Sequence, residues 1–422
     1  MVQMAHITRH GRLLLGMVLL GILVVAQASA LAGYETRITS GSSWHTWPAI
    51  SGDLVAYEDD RNGHVDIFLY NLSSGVEKDL TPQACEHYWP KIYGDRVVWW
   101  DNRSGVDNFD VFMYNTTTGV ESQITNDPKN QENADLYGDR ILWMDKRNGN
   151  FDIFMKNTRT GTETPLISDP MDQWEPQIWG NHVIWMDNRT NTFGYAPDQY
   201  FDYYTYDLAN PVPNGTPLTT DGWAWYGGIN GDRAVWSQWI PDGSYPGGYN
   251  EQIYLHDFRD STTTRITSDA SNHWYPKVYG DRIVWEDDRN GADSNWDIYL
   301  YNVTTGTEEQ VTTLTSAEWN PVIWGNRIAY EDYRDGNPQI FLYTITDKPI
   351  IPVDGQILSP TDPDQDGKYE DLDGDGRRSF NDVVVFFNKM EWIAGTEPLA
   401  AFDMNGNGRI DFDDVVKVFY EL

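Results

Sequence analysis

Two stretches near the carboxyl end place oxygen-bearing side chains at alternate positions of a twelve-residue loop. In DLDGDGRRSFND, Asp371, Asp373, Asp375, Ser379 and Asp382 fall at positions 1, 3, 5, 9 and 12. Gly376 stands at the sharp turn and the Arg377 carbonyl at position 7. DMNGNGRIDFDD repeats the arrangement 32 residues later with Asp403, Asn405, Asn407, the Arg409 carbonyl, Asp411 and Asp414. A hard divalent cation needs an oxygen cage of this kind, so two Ca2+ sites are expected. After each loop, DVVVFFNKMEW and DVVKVFYEL carry apolar residues at helical spacing. The upstream Asp362, Asp364, Asp366 and Glu370 are read as a solvated acidic approach rather than a third site.

A second set of groups recurs through the rest of the chain: His45, His87, Gln131, Gln173, Ala224, His273 and Glu318. If they converge on one axis, these imidazoles, amides and one carboxylate could hold a transition metal or supply an acid and a base. The competing expectation is that a polar ring merely solvates a channel. A third set is aromatic: Phe193, Tyr195, Tyr200, Trp239, Tyr245 and Tyr249 in two long loops, with Trp223 and Trp225 nearby. Flat aromatic faces beside Asp and Asn suit carbohydrate rings, and the alternative is a self-packed cap.

The elements that position these groups are copies of one unit. WPAISGDLVAYEDDRNGHVDIFLYNLSSGVEKDLT returns six times, with aligned first positions Pro48, Pro90, Ala134, Pro176, Gly227, Pro276 and Pro321. Spacings of 42, 44, 42, 51, 49 and 45 residues are those of a four-stranded propeller blade. Apolar residues alternate with period two, and each copy divides at Gly-Asp and Thr-Gly turns into four strands. The outermost strand of the seventh copy is missing, because that copy stops at FLYTITDKP; Glu35-Thr36-Arg37-Ile38-Thr39 has its pattern and is expected to close the ring. Groups present in nearly every copy hold blades together, since a single active site needs each group once. The Asp and Arg of D-x-R, from Asp59 and Arg61 to Asp332 and Arg334, are therefore read as structural, and the Trp or Tyr at 57, 99, 143, 185, 236, 285 and 330 as core wedges. The fifth copy breaks the rule with Gln238 and Ile240.

The repeats, with their DDRNGHVDIF, DNRSGVDNFDVF, DKRNGNFDIF and DDRNGADSNWDIY cores, resemble TolB-like β-propeller repeats over residues 34–348. That resemblance implies a fold and leaves function open. Secreted pectate-fragment lyases with similar propellers use a His/Gln metal site, which gives the catalytic alternative its shape. The carboxyl-terminal pair of loops resembles a dockerin module, an EF-hand-like arrangement with Asp in place of Glu at position 12. This implies a cohesin-like docking partner, although Phe380-Asn381 and Phe412-Asp413 replace the hydroxyl pairs often used there. The combination is similar to exported surface proteins of methanogenic archaea.

The 422 residues carry 30 Lys and Arg against 64 Asp and Glu, a net charge of −34, which disfavours nucleic acid as a partner. With 40% apolar and 14% aromatic residues there is ample material for a core. A lone Cys85 excludes an internal disulfide. Arg9 and Arg12, an apolar run from Leu13 to Val25 and AQASALA read as an export signal, with no later membrane span. Asn71, Asn102, Asn115, Asn188, Asn214 and Asn302 are then glycosylation candidates. The expected organisation is a signal over 1–32, an all-β seven-bladed propeller over 33–348, a Pro-rich linker over 349–361 and a small α-helical dockerin-like calcium-binding domain over 362–422. The expected role is a secreted or envelope-associated protein that binds a glycan or surface protein. The alternative is an extracellular polysaccharide lyase or glycoside hydrolase.

Overall fold

Period-two alternation of β-branched and aromatic residues, cut every few residues by Gly-Asp and Thr-Gly turns, produces seven antiparallel four-stranded meanders. The structure, a computed structural model, describes residues 29–105, 107–189, 200–241, 249–291, 295–346, 348, 350–364, 367–406 and 409–420. Phe193, Tyr195, Tyr245, Asn407 and residues 1–28 of the expected signal lie outside them. Blade 1 shows the pattern: His45–Ser51, Leu54–Asp59, Asp66–Asn71 and Val76–Asp79 pair in order from the innermost strand outward. The first six blades take all four strands of the meander from consecutive chain. Ser29–Ala30 adds a short parallel strand to the outer edge of blade 6.

Blade 7 is completed from the other end of the chain. Its inner three strands are Glu318–Trp324, Arg327–Asp332 and Gln339–Ile345, and its fourth is Gly33–Arg37. Arg37 lies opposite Phe341, and the Ile38 amide donates to the Ile340 carbonyl at 2.9 Å. The side chains of this strand repeat what outer strands do elsewhere. Glu35 pairs with Arg334 at 2.7 Å as Glu121, Glu163 and Glu308 pair with Arg103, Arg147 and Arg289. The Thr39 hydroxyl accepts from the Ile340 amide as Thr81 does from Ile67. Ring closure leaves no unpaired edge between the first and last blades.

The repeated aromatic residues are the wedges the sequence suggests. Trp99, Trp143, Trp185, Trp236 and Trp285, with Tyr57 and Tyr330, are at most 1% exposed, and each stacks on an aromatic ring of the next strand. Burying a ring of that size contributes roughly 4–6 kcal/mol of transfer free energy. D-x-R is structural as well. Asp101 accepts from the Trp99 indole at 2.9 Å and from Arg103, whose guanidinium lies 3.8 Å from the Phe112 ring centroid. Blade 5, lacking the motif, lets Gln238 accept from Trp236 instead.

The chain ends in helices α1 (Phe380–Thr396), α2 (Leu399–Phe402) and α3 (Phe412–Tyr420). Ser379 caps α1 in a reciprocal capping box with Asp382. Their core gathers Val353, Leu372, Phe386, Ile393, Phe402 and Val418, so the expected linker contributes a fully buried residue, Val353, rather than a free tether. Tyr34 of the closing strand packs against this core and meets Tyr369 edge-on at 6.4 Å. Among the described residues no helix is long and apolar enough to cross a membrane.

Candidate functional site

Each blade's innermost strand breaks register two residues after it begins, and the same residue leaves the usual backbone region. Trp47, Trp89, Asn133, Glu175, Tyr275 and Asn320 have φ between +49° and +52°, and Tyr226 has φ +29°. Six of the seven register shifts fall between 46/49, 88/91, 132/135, 174/177, 274/277 and 319/322, the seventh between 225/227. A bulge with a left-handed residue turns a side chain away from the sheet, here toward the propeller axis. For L-residues this conformation costs on the order of 1–2 kcal/mol each. Bulky Trp, Tyr and Glu held there mark strain concentrated around one cavity.

That cavity has a volume of about 280 Å³ and is lined by all seven left-handed residues, with Lys91, Gln177 and Lys277 one step deeper. A second space of about 140 Å³ continues along the axis past Asp135. The far end is shut by aromatic rings. Tyr93, Tyr137 and Trp179 contact in sequence at 4.7 and 5.0 Å, and Trp324 reaches across to Tyr93 and Trp179 at 6.2 and 6.1 Å. Blades 4 and 7 are not neighbours, so contact between Trp179 and Trp324 spans the axis. The channel is a blind well, open at the face that carries the loops between second and third strands.

Charge inside the well is balanced and desolvated. The Gly227 carbonyl, in blade 5's Gly227-Gly228 where the other blades carry two residues with side chains, accepts from Gln177 at 3.0 Å and from Lys277 at 2.6 Å. A Cβ at Gly227 would come within 2.6 Å of the Tyr203 hydroxyl, so only glycine fits. Burial, aided by Lys91, pulls the Lys277 ammonium down to about 8, against Glu175, Glu286 and Asp135. Burial likewise raises the Glu175 and Asp135 carboxyls, offset by the two lysines.

Three of the left-handed residues are tied to a carboxyl group of the preceding blade through their amides. Trp89 donates to Glu58 at 2.7 Å, Asn320 to Glu286 at 2.6 Å and Trp47 to Glu331 at 2.8 Å. These carboxyls stand one residue before the D-x-R aspartate. Burial pushes Glu58 and Glu286 up to about 8 and Glu331 to about 7.

The groups that the sequence suggested for the channel mouth are elsewhere. His45, His87, Gln131, Gln173, Ala224, His273 and Glu318 are fully buried, and none lines the axial cavity. In every blade but the fifth the residue pairs in register with the last residue of the blade's second strand, as His45 does with Asp59 and His273 with Asp287. His45 Nε2 lies 2.9 Å from the Asp59 carboxylate, His87 Nδ1 2.9 Å from the Val65 carbonyl, and Glu318 accepts from Ser316 at 2.8 Å. They fasten the connection between blades instead of converging. The expectation missed the lining by two residues: the side chain that reaches the axis is the one after the bulge. A signal was present, because the column before the aligned proline reads Trp, Trp, Asn, Glu, Tyr, Tyr, Asn, varying from blade to blade where the structural columns stay constant.

The aromatic loop residues do assemble. Trp223 stacks on Tyr249 at 4.8 Å, meets Trp239 at 5.7 Å and takes Tyr200 edge-on at 5.2 Å. Trp225 lies 6.3 Å from Trp239.

In the carboxyl-terminal loops, Asp371, Asp373 and Asp375 bring carboxylate oxygens within 4.8 Å of one another, as do Asp362, Asp364 and Glu370. Gly376 has φ +82° at the turn. Asp382 is buried and accepts from the amides of Asp373 at 3.2 Å and Ser379 at 2.8 Å. Asp414 does the same with Asn405 at 3.1 Å and Asp411 at 2.7 Å, so the position-12 carboxylates of the two loops are held alike. Converging hard oxygens around a buried carboxylate fit a divalent cation held by Asp371, Asp373, Asp375, the Arg377 carbonyl, Ser379 and Asp382.

No family model and no curated protein matches this chain in sequence. In structure it is similar to the β-propeller domain of the Trilobed protease from Pyrococcus furiosus, with TM-score 0.58 and 11% identity over 73% of this chain and 99% of that one. That domain is described as having an open velcro topology, whereas this chain closes its ring with Gly33–Arg37. It is also similar to an oligogalacturonate lyase in complex with manganese, with TM-score 0.54 and 13% identity over 76% and 95% of the two chains. An oligogalacturonate lyase from Vibrio parahaemolyticus gives TM-score 0.53 at 11% identity, over 76% and 96%. At such identities the likeness establishes a seven-bladed β-propeller and leaves its chemistry to the residues of the well.

Proposed function

We propose that this chain is an exported, envelope-associated binding protein whose axial well holds a carbohydrate ring. One observation carries the reading: seven strained backbone positions, one per blade, point Trp47, Trp89, Tyr226, Tyr275, Asn133, Asn320 and Glu175 into a single blind cavity. Aromatic faces stack on the apolar face of a sugar, and amide and carboxyl groups match its hydroxyls. The carboxyl-terminal loops, filled by two Ca2+ ions, fold a dockerin-like module that attaches the ring to a surface partner such as a cohesin-like module. Titration of a panel of neutral and acidic glycans, followed by tryptophan fluorescence, tests the reading: a saturable change lost in Trp47→Ala supports it, and no change with any glycan overturns it.

A lyase activity is the second reading, favoured by Lys277. An amine brought down to about 8 beside Glu175, Tyr226 and Tyr275 places a base and proton donors around one cavity. Two of the structural neighbours are oligogalacturonate lyases. New unsaturated ends that disappear in Lys277→Ala would establish it, and retention of glycan without products would exclude it.

A further inference from the structure

The aromatic cluster of the blade 5 loops and the aromatic rim of the well are one continuous surface. From Tyr249, 41% exposed, rings follow through Trp239, 37% exposed, at 6.1 Å and Trp225 at 6.3 Å. Trp225 meets Tyr226 at 6.4 Å, and Tyr226, already at the rim, stacks on Tyr275 at 4.1 Å. Tyr275 meets Trp47 across the mouth at 6.4 Å. No step exceeds 6.4 Å, a spacing comparable to the repeat of pyranose rings in a linear chain.

The path also has a direction. Its outer end is exposed and uncharged, built of Tyr249 and Trp239, while its inner end drops onto Lys91 and Lys277. These two ammonium groups share a well in which burial shifts the facing carboxyls of Glu175 and Asp135 toward their neutral forms. Two lysines lining one cavity, in a molecule of net charge −34, form a local site for an anion in a protein that otherwise repels one.

We propose that the track binds a linear oligosaccharide, with its terminal uronate residue seated in the well against Lys91 and Lys277 and its following residues laid over Tyr226, Trp225 and Trp239 toward Tyr249. The proposal rests on the carbohydrate reading above and adds to it chain length, direction and charge. Blade 5 is the place where such a chain can leave the axis. It lacks the D-x-R turn, and its second and third strands, Arg233–Pro241 and Tyr249–Asp257, run longer than those of the other blades. Those extra residues carry Trp239 and Tyr249 beyond the rim.

The test is calorimetric titration of uronate oligosaccharides of increasing length, prepared from alginate and from polygalacturonate, into the full chain with saturating Ca2+. Carboxyl-reduced counterparts of the same length serve as the comparison. Affinity is expected to rise at least tenfold from the monomer to chains long enough to reach Trp239. Trp239→Ala is expected to remove that gain, and carboxyl reduction to weaken every length at least tenfold. Lys91→Met should abolish the preference for the acidic series; Lys91→Arg, which keeps the charge, should retain it and guards against simple misfolding. Binding without length dependence, or unaffected by Trp239→Ala, overturns the track while leaving the carbohydrate-binding well standing. Equal affinity for acidic and reduced chains overturns the uronate assignment. Absence of binding by every member in both series overturns the well as a sugar site.

Discussion

Raising the pH from about 6.5 to 8 should destabilise this protein, against the usual behaviour of an acidic fold. Glu58 and Glu286 go from an ordinary 4.5 to about 8 in the folded chain, with burial as the leading cause. A carboxyl whose folded value is raised contributes stability that is fully present below 4.5 and is lost as pH rises through the folded value. Glu251 and Glu318, also raised to about 8 by burial, and Glu397, raised to about 7, add losses of the same sign, while Lys277, lowered to about 8 from an ordinary 10.5, opposes them weakly near the upper end. Asp53 and Asp257 lie below their ordinary 3.8, and His87 and His273 below their ordinary 6.5, so all four affect stability only on the acid side. Across the window Glu58 and Glu286 each lose about 2 kcal/mol, at about 1.36 kcal/mol per unit. With the smaller share of Glu331, these three carboxyls account for on the order of 4–5 kcal/mol of the loss, a fall in Tm of roughly 5–10 °C. Glu58→Gln with Glu286→Gln keeps an acceptor for the Trp89 and Asn320 amides but cannot ionise. The double variant should lose about 3–4 kcal/mol less stability than the parent across the window and melt higher than the parent at about pH 8. Scanning calorimetry at fixed Ca2+ measures both. A parent Tm that is flat or rises over the window, or a variant with the parent's slope, would refute the protonated-latch account.

Other perturbations test other joints. Ile38→Ala removes a buried side chain packed on Tyr57, Ile340 and Leu342 where the ring closes and should cost about 2–4 kcal/mol, visible as a lower urea midpoint. Chelation of Ca2+ should abolish the helical far-UV signal of α1 and α3 and amide protection over 371–420, while tryptophan emission from the blades stays constant. Glu175→Gly relieves a left-handed backbone and removes a buried carboxyl, so it should leave the unfolding free energy within about 1 kcal/mol of the parent, measured by urea titration. The same variant should weaken glycan binding, measured by fluorescence.

The blades were legible in the sequence because their determinants repeat. Alternating apolar residues, Asp59 and Arg61 with their counterparts, and buried Trp99 and Trp143 each occur at fixed spacing, so seven copies report the same local rule. Closure was legible for the same reason, since Glu35 and Thr39 occupy the places of Glu121 and Thr125. The well was not. Its lining depends on a bulge that reverses side-chain direction within one strand, and alternation read straight along that strand puts His45 and His87 at the axis two residues too early. The pairing of Val353 with the helical core was also hidden, because four prolines nearby suggested a tether while burial is decided by contacts distant in sequence.

The left-handed ring and the buried histidine ring make opposite forecasts for one titration. Calorimetry of the glycan panel against the parent chain, Trp47→Ala and His87→Ala, each checked for an intact fold by circular dichroism, measures the difference directly. Affinity reduced tenfold or more by Trp47→Ala and retained by His87→Ala is the predicted result. Affinity retained by Trp47→Ala and abolished by His87→Ala would contradict the assignment of the axial well.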